Sequence, residues 1–117
     1  MTSRQRILVM EDEWMIADAT SAALRKAGFE VVGPASGPED ALCRIAAEPP
    51  DAATLDIRLR EDKNFAVAEE LARRDIPFVF VSGYTRYEVP AAFHDRPFLT
   101  KPVPDVDIVN AVSRLLV

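Results

Sequence analysis

The chain has 117 residues, 49% of them hydrophobic, with a formal net charge of -5 and a pI near 4.8. That length suits one domain with a substantial core and no second folded unit, and an acidic balance without any Lys/Arg run argues against a generic nucleic-acid or anionic-membrane surface. The single cysteine, Cys43, cannot form an internal disulfide and is expected to pack within a helix, while the four apolar residues before Glu11 are too few for a signal sequence or a membrane span, so a cytoplasmic location is expected.

Arg6 to Met10 is short and rich in branched apolar residues, as a strand covered on both faces should be. Beyond the acidic cluster Glu11-Asp12-Glu13, residues Ile16, Thr20, Ala23, Leu24 and Ala27 recur at helical spacing, and Gly28 supplies a stop. Residues 29–33 read as a second strand ended by Gly33-Pro34. Ser36-Gly37-Pro38-Glu39 has capping-box spacing and opens a second helix, with Leu42, Ile45 and Ala46 on its inner face and Pro49-Pro50 as its end. Residues 52–56 form the third strand, followed by a charged loop over 58–63. Asn64 is the expected cap of a third helix with Phe65, Ala68, Leu71 and Ala72 facing inward, and Ile76-Pro77 breaks it. Residues 78–81 and 97–100 are strands four and five, and a last helix opens at Pro104 and carries Val109, Val112, Leu115 and Leu116.

Strands alternating with helices in this way imply a flavodoxin-like, doubly wound α/β fold, with a five-stranded parallel sheet in the order 2-1-3-4-5. The stretch 83–96 departs from that rhythm. It contains Pro90 and an early glycine and has no helical stripe, so the helix normally found there should be short, irregular or absent, with a turn or two near residues 90–94 and few fixed contacts.

Four polar signals each fall just past a short apolar run: Glu11-Asp12, Asp56, Ser82 and Lys101. In an open parallel sheet the carboxyl ends of the strands meet at the switch point where ligands bind, so these signals converge on one site. Glu11, Asp12 and Asp56 make a hard, oxygen-only set that suits Mg²⁺, with Asp12 and Asp56 as direct ligands and Glu11 holding a water. Acids at a helix start also favour the dipole, but that reading leaves Asp56, Ser82 and Lys101 without a role. A carboxylate can act as a nucleophile toward phosphorus, and phosphoryl transfer needs positioning and charge neutralisation, which Lys101, the Ser82 hydroxyl and the close approach allowed by Gly83 would supply. Lys101-Pro102 admits either peptide isomer, and a cis bond would aim the ammonium inward.

The segments Ile7-Leu8-Val9-Met10-Glu11-Asp12-Glu13, Leu55-Asp56, Val81-Ser82-Gly83 and Lys101-Pro102 resemble the receiver domain of two-component response regulators across essentially the whole chain. The resemblance implies one receiver domain over residues 1–117, acting alone and without an output domain. It implies Asp56 as phosphoacceptor, served by a histidine kinase or a histidine phosphotransfer protein, and a Mg²⁺ site made by Glu11, Asp12, Asp56 and the backbone carbonyl of Arg58. Ser82 would be the switch hydroxyl, Lys101 the phosphate-sensing lysine and Phe98 the aromatic switch. Arg58, Gly83, Tyr84 and Pro102 would border the site. Pro77-Phe78-Val79-Phe80-Val81-Ser82-Gly83-Tyr84 further resembles the Phe-Ala-Thr-Gly-Tyr subgroup of single-domain receivers from alphaproteobacteria, which shares an atypical fourth-helix region. Here Val81 and Ser82 replace the usual Ala and Thr, and Arg58 is an unexpected neighbour of the phosphate.

The expected output is phosphorylation-dependent contact with a downstream protein, or service as a phosphate sink, from a monomer that binds neither nucleic acid nor membrane. The chain would catalyse only its own phosphorylation and dephosphorylation. Two other readings compete. A Mg²⁺-dependent phosphohydrolase with an aspartyl nucleophile would carry a second Asp two residues on, where Arg58 stands. A receiver-like binding module that is never phosphorylated would fail to bind Mg²⁺ or beryllofluoride. His94 is expected to be solvated, Arg73-Arg74 to sit at a helix C-terminus, and Trp14 to be core, surface or partner contact.

Overall fold

The computed structural model describes residues 4–56, 63–83 and 89–116. Five parallel strands, β1 (Arg6–Met10), β2 (Glu30–Ala35), β3 (Ala52–Leu55), β4 (Phe78–Ser82) and β5 (Phe98–Thr100), pair in the order β2-β1-β3-β4-β5. The helices are α1 (Trp14–Lys26), α2 (Pro38–Ala47), α3 (Lys63–Arg73) and α4 (Asp105–Leu115). This is the expected flavodoxin-like arrangement.

Because strand side chains alternate faces, each central strand feeds two cores. Leu8, Met10, Ala53, Leu55, Phe78 and Phe80 point toward α2 and α3, where they meet Ala41, Ile45, Val67, Ala68 and Leu71. Ile7, Val9, Ala52, Val79 and Val81 point the other way, onto Leu24 of α1 and Ile108, Ala111 and Val112 of α4. Two helices end by the same device. Gly28 (φ 101°) follows α1, and the Phe29 N–H donates to the Leu24 carbonyl at 3.0 Å. After α3, Asp75 takes φ 58°, and the Ile76 N–H donates to the Leu71 carbonyl at 2.9 Å.

The second strand does not stop at Gly33-Pro34. Gly33 adopts φ 105° and the register slips between Leu8 and Met10, which lets β2 resume and pair Ala35 with Met10. Both Gly33-Pro34 and Lys101-Pro102 are cis. The capping box is not formed either: extended Gly37 is the N-cap of α2, Pro38 is its first residue, and the Ser36 hydroxyl stands one position too early to cap it. Asn64 is the second residue of α3 rather than its cap.

Cys43 is exposed, not packed, because the inward positions of α2 are Ala41 and Ile45, and a residue two places from Ala41 lies on the opposite face. In α1 the buried stripe is Ala17, Thr20, Ser21 and Leu24, so Ala27 is left in solvent.

Between β4 and β5 the described residues hold only a three-residue 3-10 turn, Ala91–Phe93, in keeping with the missing helical stripe. The turn is better anchored than its sequence suggests. Val89 and Phe93 are buried, and the Phe93 ring lies 6.0 Å from the rings of both Phe78 and Phe80. The Arg96 guanidinium stacks 4.6 Å above Phe78. His94 is half-buried rather than solvated, since the tight turn brings its Nε2 within 2.8 Å of the Val89 carbonyl oxygen.

A Cβ at Gly33 would stand 2.6 Å from the Ala35 nitrogen and 3.2 Å from the Val9 carbonyl, whereas one at Gly28 meets nothing within 4 Å, although both glycines have similar positive φ. Gly33→Ala should therefore lower unfolding free energy by roughly 1 kcal/mol or more beyond Gly28→Ala in urea titrations. Equal losses would contradict the close approach at the bulge.

Candidate functional site

The site lies at the carboxyl edge of the sheet, where strand ladders carry their hydrogen bonding one residue past each strand. The Glu11 N–H donates to the Ala35 carbonyl at 2.9 Å, so the resumed half of β2 fixes the first acid. The Asp56 N–H donates to the Met10 carbonyl at 3.0 Å, and the Lys101 N–H donates to the Ser82 carbonyl at 2.8 Å. Glu11, Asp56 and Lys101 are thus each held by the last carbonyl group of a neighbouring strand, while Ser82 is itself the last residue of β4.

The side chains converge accordingly. Lys101 Nζ lies 2.7 Å from Glu11 Oε1 and 3.3 Å from Asp56 Oδ2, with Glu11 6% and Asp56 10% exposed at their side chains. A Glu11 Oε2 atom also accepts the Glu13 N–H at 3.2 Å, at the N-terminus of α1. Carboxylate oxygens of Glu11, Asp12 and Asp56 all fall within 4.8 Å of one another.

Among the described residues, one ammonium faces these three carboxylates. Burial, then the hydrogen bond and charge of Glu11, push Asp56 from 3.8 up to about 7, against the opposing pull of Lys101. Burial works against the Lys101 ammonium, yet its hydrogen bond to Glu11 and the charges of Asp56 and Glu11 outweigh that and raise its pKa. Oxygen-only donors, close spacing and excess negative charge fit a hard dication of the Mg²⁺ type.

Ser82 is fully buried at the end of β4, opposite Thr100 in the ladder, and Phe98 is half-buried with its ring 5.8 Å from Phe80. Gly83 and Pro102 are exposed beside them. Trp14 is 76% exposed and, with Asp12, Asp18, Pro34 and Ser36, lines a surface pocket of ≈ 380 Å³ that opens next to the acids. The expected contributions of Arg58 and Tyr84 lie outside the described residues.

The sequence matches the model of the response regulator receiver domain over residues 7–113. The chain belongs to the receiver domain family. Receiver domains are in general signalling domains rather than enzymes; they bind Mg²⁺ at an acidic pocket and interact with histidine kinases or phosphotransfer proteins.

Among the similar proteins is the sensory transduction protein LytT of Bacillus anthracis, 31% identical over 113 residues, which are 93% of this chain and 46% of that protein. The chain spans about half the length of the curated relatives it matches. The solution structure of SdrG from Sphingomonas melonis Fr1 is 40% identical, covers all of both chains and superposes with a TM-score of 0.81. A CheY-like receiver domain protein from Methanospirillum hungatei JF-1 is 26% identical, with 97% of this chain and 94% of that one covered and a TM-score of 0.84. Among the described residues of this receiver domain no helix is long and apolar enough to cross a membrane.

What sequence reasoning missed near the site is Thr54 and Thr20, both buried and both lining a small cavity under Asp56. The available signal was Thr54's place two residues before Asp56, which puts the two on one face.

The raised Asp56 pKa fixes the sign of a stability effect. Below pH 4 the carboxyl is protonated in both folded and unfolded chains. Between about 4 and 7 the unfolded chain ionises and the folded one does not, so this group's contribution to stability falls as pH rises toward 7. In chelator, Asp56→Asn should melt higher than the parent at pH 7.5, and the gap should close toward pH 4.5. A gap that widened on acidification would contradict the crowding.

Proposed function

We propose that this receiver domain takes a phosphoryl group on Asp56 from a histidine kinase or a histidine phosphotransfer protein, and passes the signal on by phosphorylation-dependent contact with another protein. The observation that carries this reading is the convergence on Asp56 of two further carboxylates within 4.8 Å and one ammonium at 3.3 Å.

The geometry supports the following roles. Asp56 is the nucleophile: a carboxylate oxygen forms a bond to phosphorus as the bond from phosphorus to the donor's imidazole nitrogen breaks. Its raised pKa means that a proton must leave or a cation must enter before it reacts at neutral pH. Asp12 and Asp56 would hold Mg²⁺ directly, with Glu11 behind them and the Arg58 carbonyl as a further donor; bound there, the ion supplies neutralisation of phosphoryl charge. Lys101, already between Glu11 and Asp56, would trade part of that pairing for a phosphoryl oxygen, and Ser82 would donate its hydroxyl to another.

Capture of the phosphate at the ends of β4 and β5 pulls on both ends of the segment between them. Phe98 packs on Phe80, and Phe80 packs on Phe93, so the segment's anchor is two ring contacts from the ammonium's strand. That chain of contacts supports Phe98 as the switch residue. Likeness to SdrG, which has also been solved in a BeF3-activated conformation at 40% identity over the whole of both chains, supports a response to phosphoryl chemistry.

Incubation with Mg²⁺ and a small phosphodonor, or with a phosphorylated histidine donor, should add one acid-stable, base-labile phosphoryl group. Intact mass and peptide mapping should place it on Asp56, and Asp56→Asn should abolish it. Lys101→Ala should still be labelled but should lose most of the spectral response to labelling. Label that mapped to Glu11 or Asp12 would falsify the assignment.

A further inference from the structure

Beneath Asp56, on the face of the sheet covered by α1 and α4, lies a cavity of ≈ 20 Å³. Its walls include Val9 and Ile108, but four of its lining residues are polar: Thr20 from α1, Thr54 from β3, and Glu11 and Asp56 from the edge of the sheet. Thr54 pairs with Val9 in the ladder and shares a strand face with Asp56. Both threonines are more than nine-tenths buried, at 5% and 4% exposure.

A space of this size with two to four polar neighbours meets the requirement for an ordered water. The chemistry is complementary as well. Two hydroxyls can donate and two carboxylates can accept, which matches the two lone pairs and two protons of one water molecule. An apolar residue at either threonine would leave the underside of Asp56 facing hydrocarbon.

We infer that this cavity is a binding site for a single internal water, held by Thr20 and Thr54 and donating to the carboxylates of Asp56 and Glu11. Through it Thr54 and Thr20 act as positioning residues. The water fixes the Asp56 carboxyl from below while Lys101 holds it from the side, so the oxygen that meets phosphorus is set before the donor arrives. The positioning role rests on the reading of Asp56 as phosphoacceptor; the water site does not.

Water oxygen-17 relaxation dispersion on the full chain counts long-lived internal waters. The parent protein should hold one more than Thr54→Val, and Thr54→Ser, which keeps the hydroxyl, should retain it. Thr20→Val approaches the same cavity from the helix and should lose it too, so poor folding of one variant leaves the other to decide. Equal counts in the parent and the valine variants would overturn the site. For positioning, Asp56 labelling by a small phosphodonor should slow on the order of tenfold in Thr54→Val and recover in Thr54→Ser. Water lost with the labelling rate unchanged would overturn the positioning role. A parent protein that takes no label would refute the phosphoacceptor reading, and the water count would still decide the cavity.

Discussion

The arrangement depends on one imbalance: among the described residues, three carboxylates share a pocket with one ammonium. Lys101 bridges Glu11 at 2.7 Å and Asp56 at 3.3 Å, and the remaining negative charge is expressed as a proton that Asp56 keeps up to about pH 7. Such a pocket is costly for stability alone, since burying like charges disfavours ionising them. It fits a pocket that takes a dication and, under the proposed function, a phosphoryl group after it. The charges are far apart in sequence and meet only because the sheet order sets β1 between β2 and β3, and β4 between β3 and β5.

The two apolar cores hold that edge rigid. Alternating residues of β1, β3 and β4 are locked from both faces, so the last carbonyl groups of each strand present fixed acceptors to Glu11, Asp56 and Lys101. Under the proposed function, the same packing would carry the consequence of phosphorylation away from the site. Phe78 and Phe80 of β4 form, with Phe93 and Phe98, an aromatic cluster that joins the site's strands to the turn at Ala91–Phe93. A change in Phe98 has to be accommodated by its neighbours, because close-packed rings have few alternative arrangements.

Strand positions were legible because they depend on local signals, short branched runs matched by the structure to within about two residues, and the polar residues that follow those runs include Glu11, Asp56 and Lys101, which the fold brings together. Details that depend on tertiary placement were not. Gly33-Pro34 reads locally as a stop, yet the strand continues because β1 offers Met10 as a partner for Ala35. Ser36 reads as a cap, yet Gly37 takes that position. Cys43 and His94 were misjudged because burial is a property of the face and the turn, not of residue type. Val89 and Phe93 lack a helical period, and only the aromatic face of β4 shows why they are buried. The polar lining under Asp56 needed the helix and the strand to be brought together before it became visible.

The central claim is that Asp56 is held short of positive charge and released by a dication. Carbon-13 NMR of the Asp56 carboxyl, titrated in chelator and again in excess Mg²⁺, reads this directly. In chelator the carboxyl should titrate near 7, and in Mg²⁺ its transition should move well down toward the ordinary carboxylate range as the metal displaces the proton. A transition already in the ordinary range without metal, or one that Mg²⁺ leaves in place, would contradict the account.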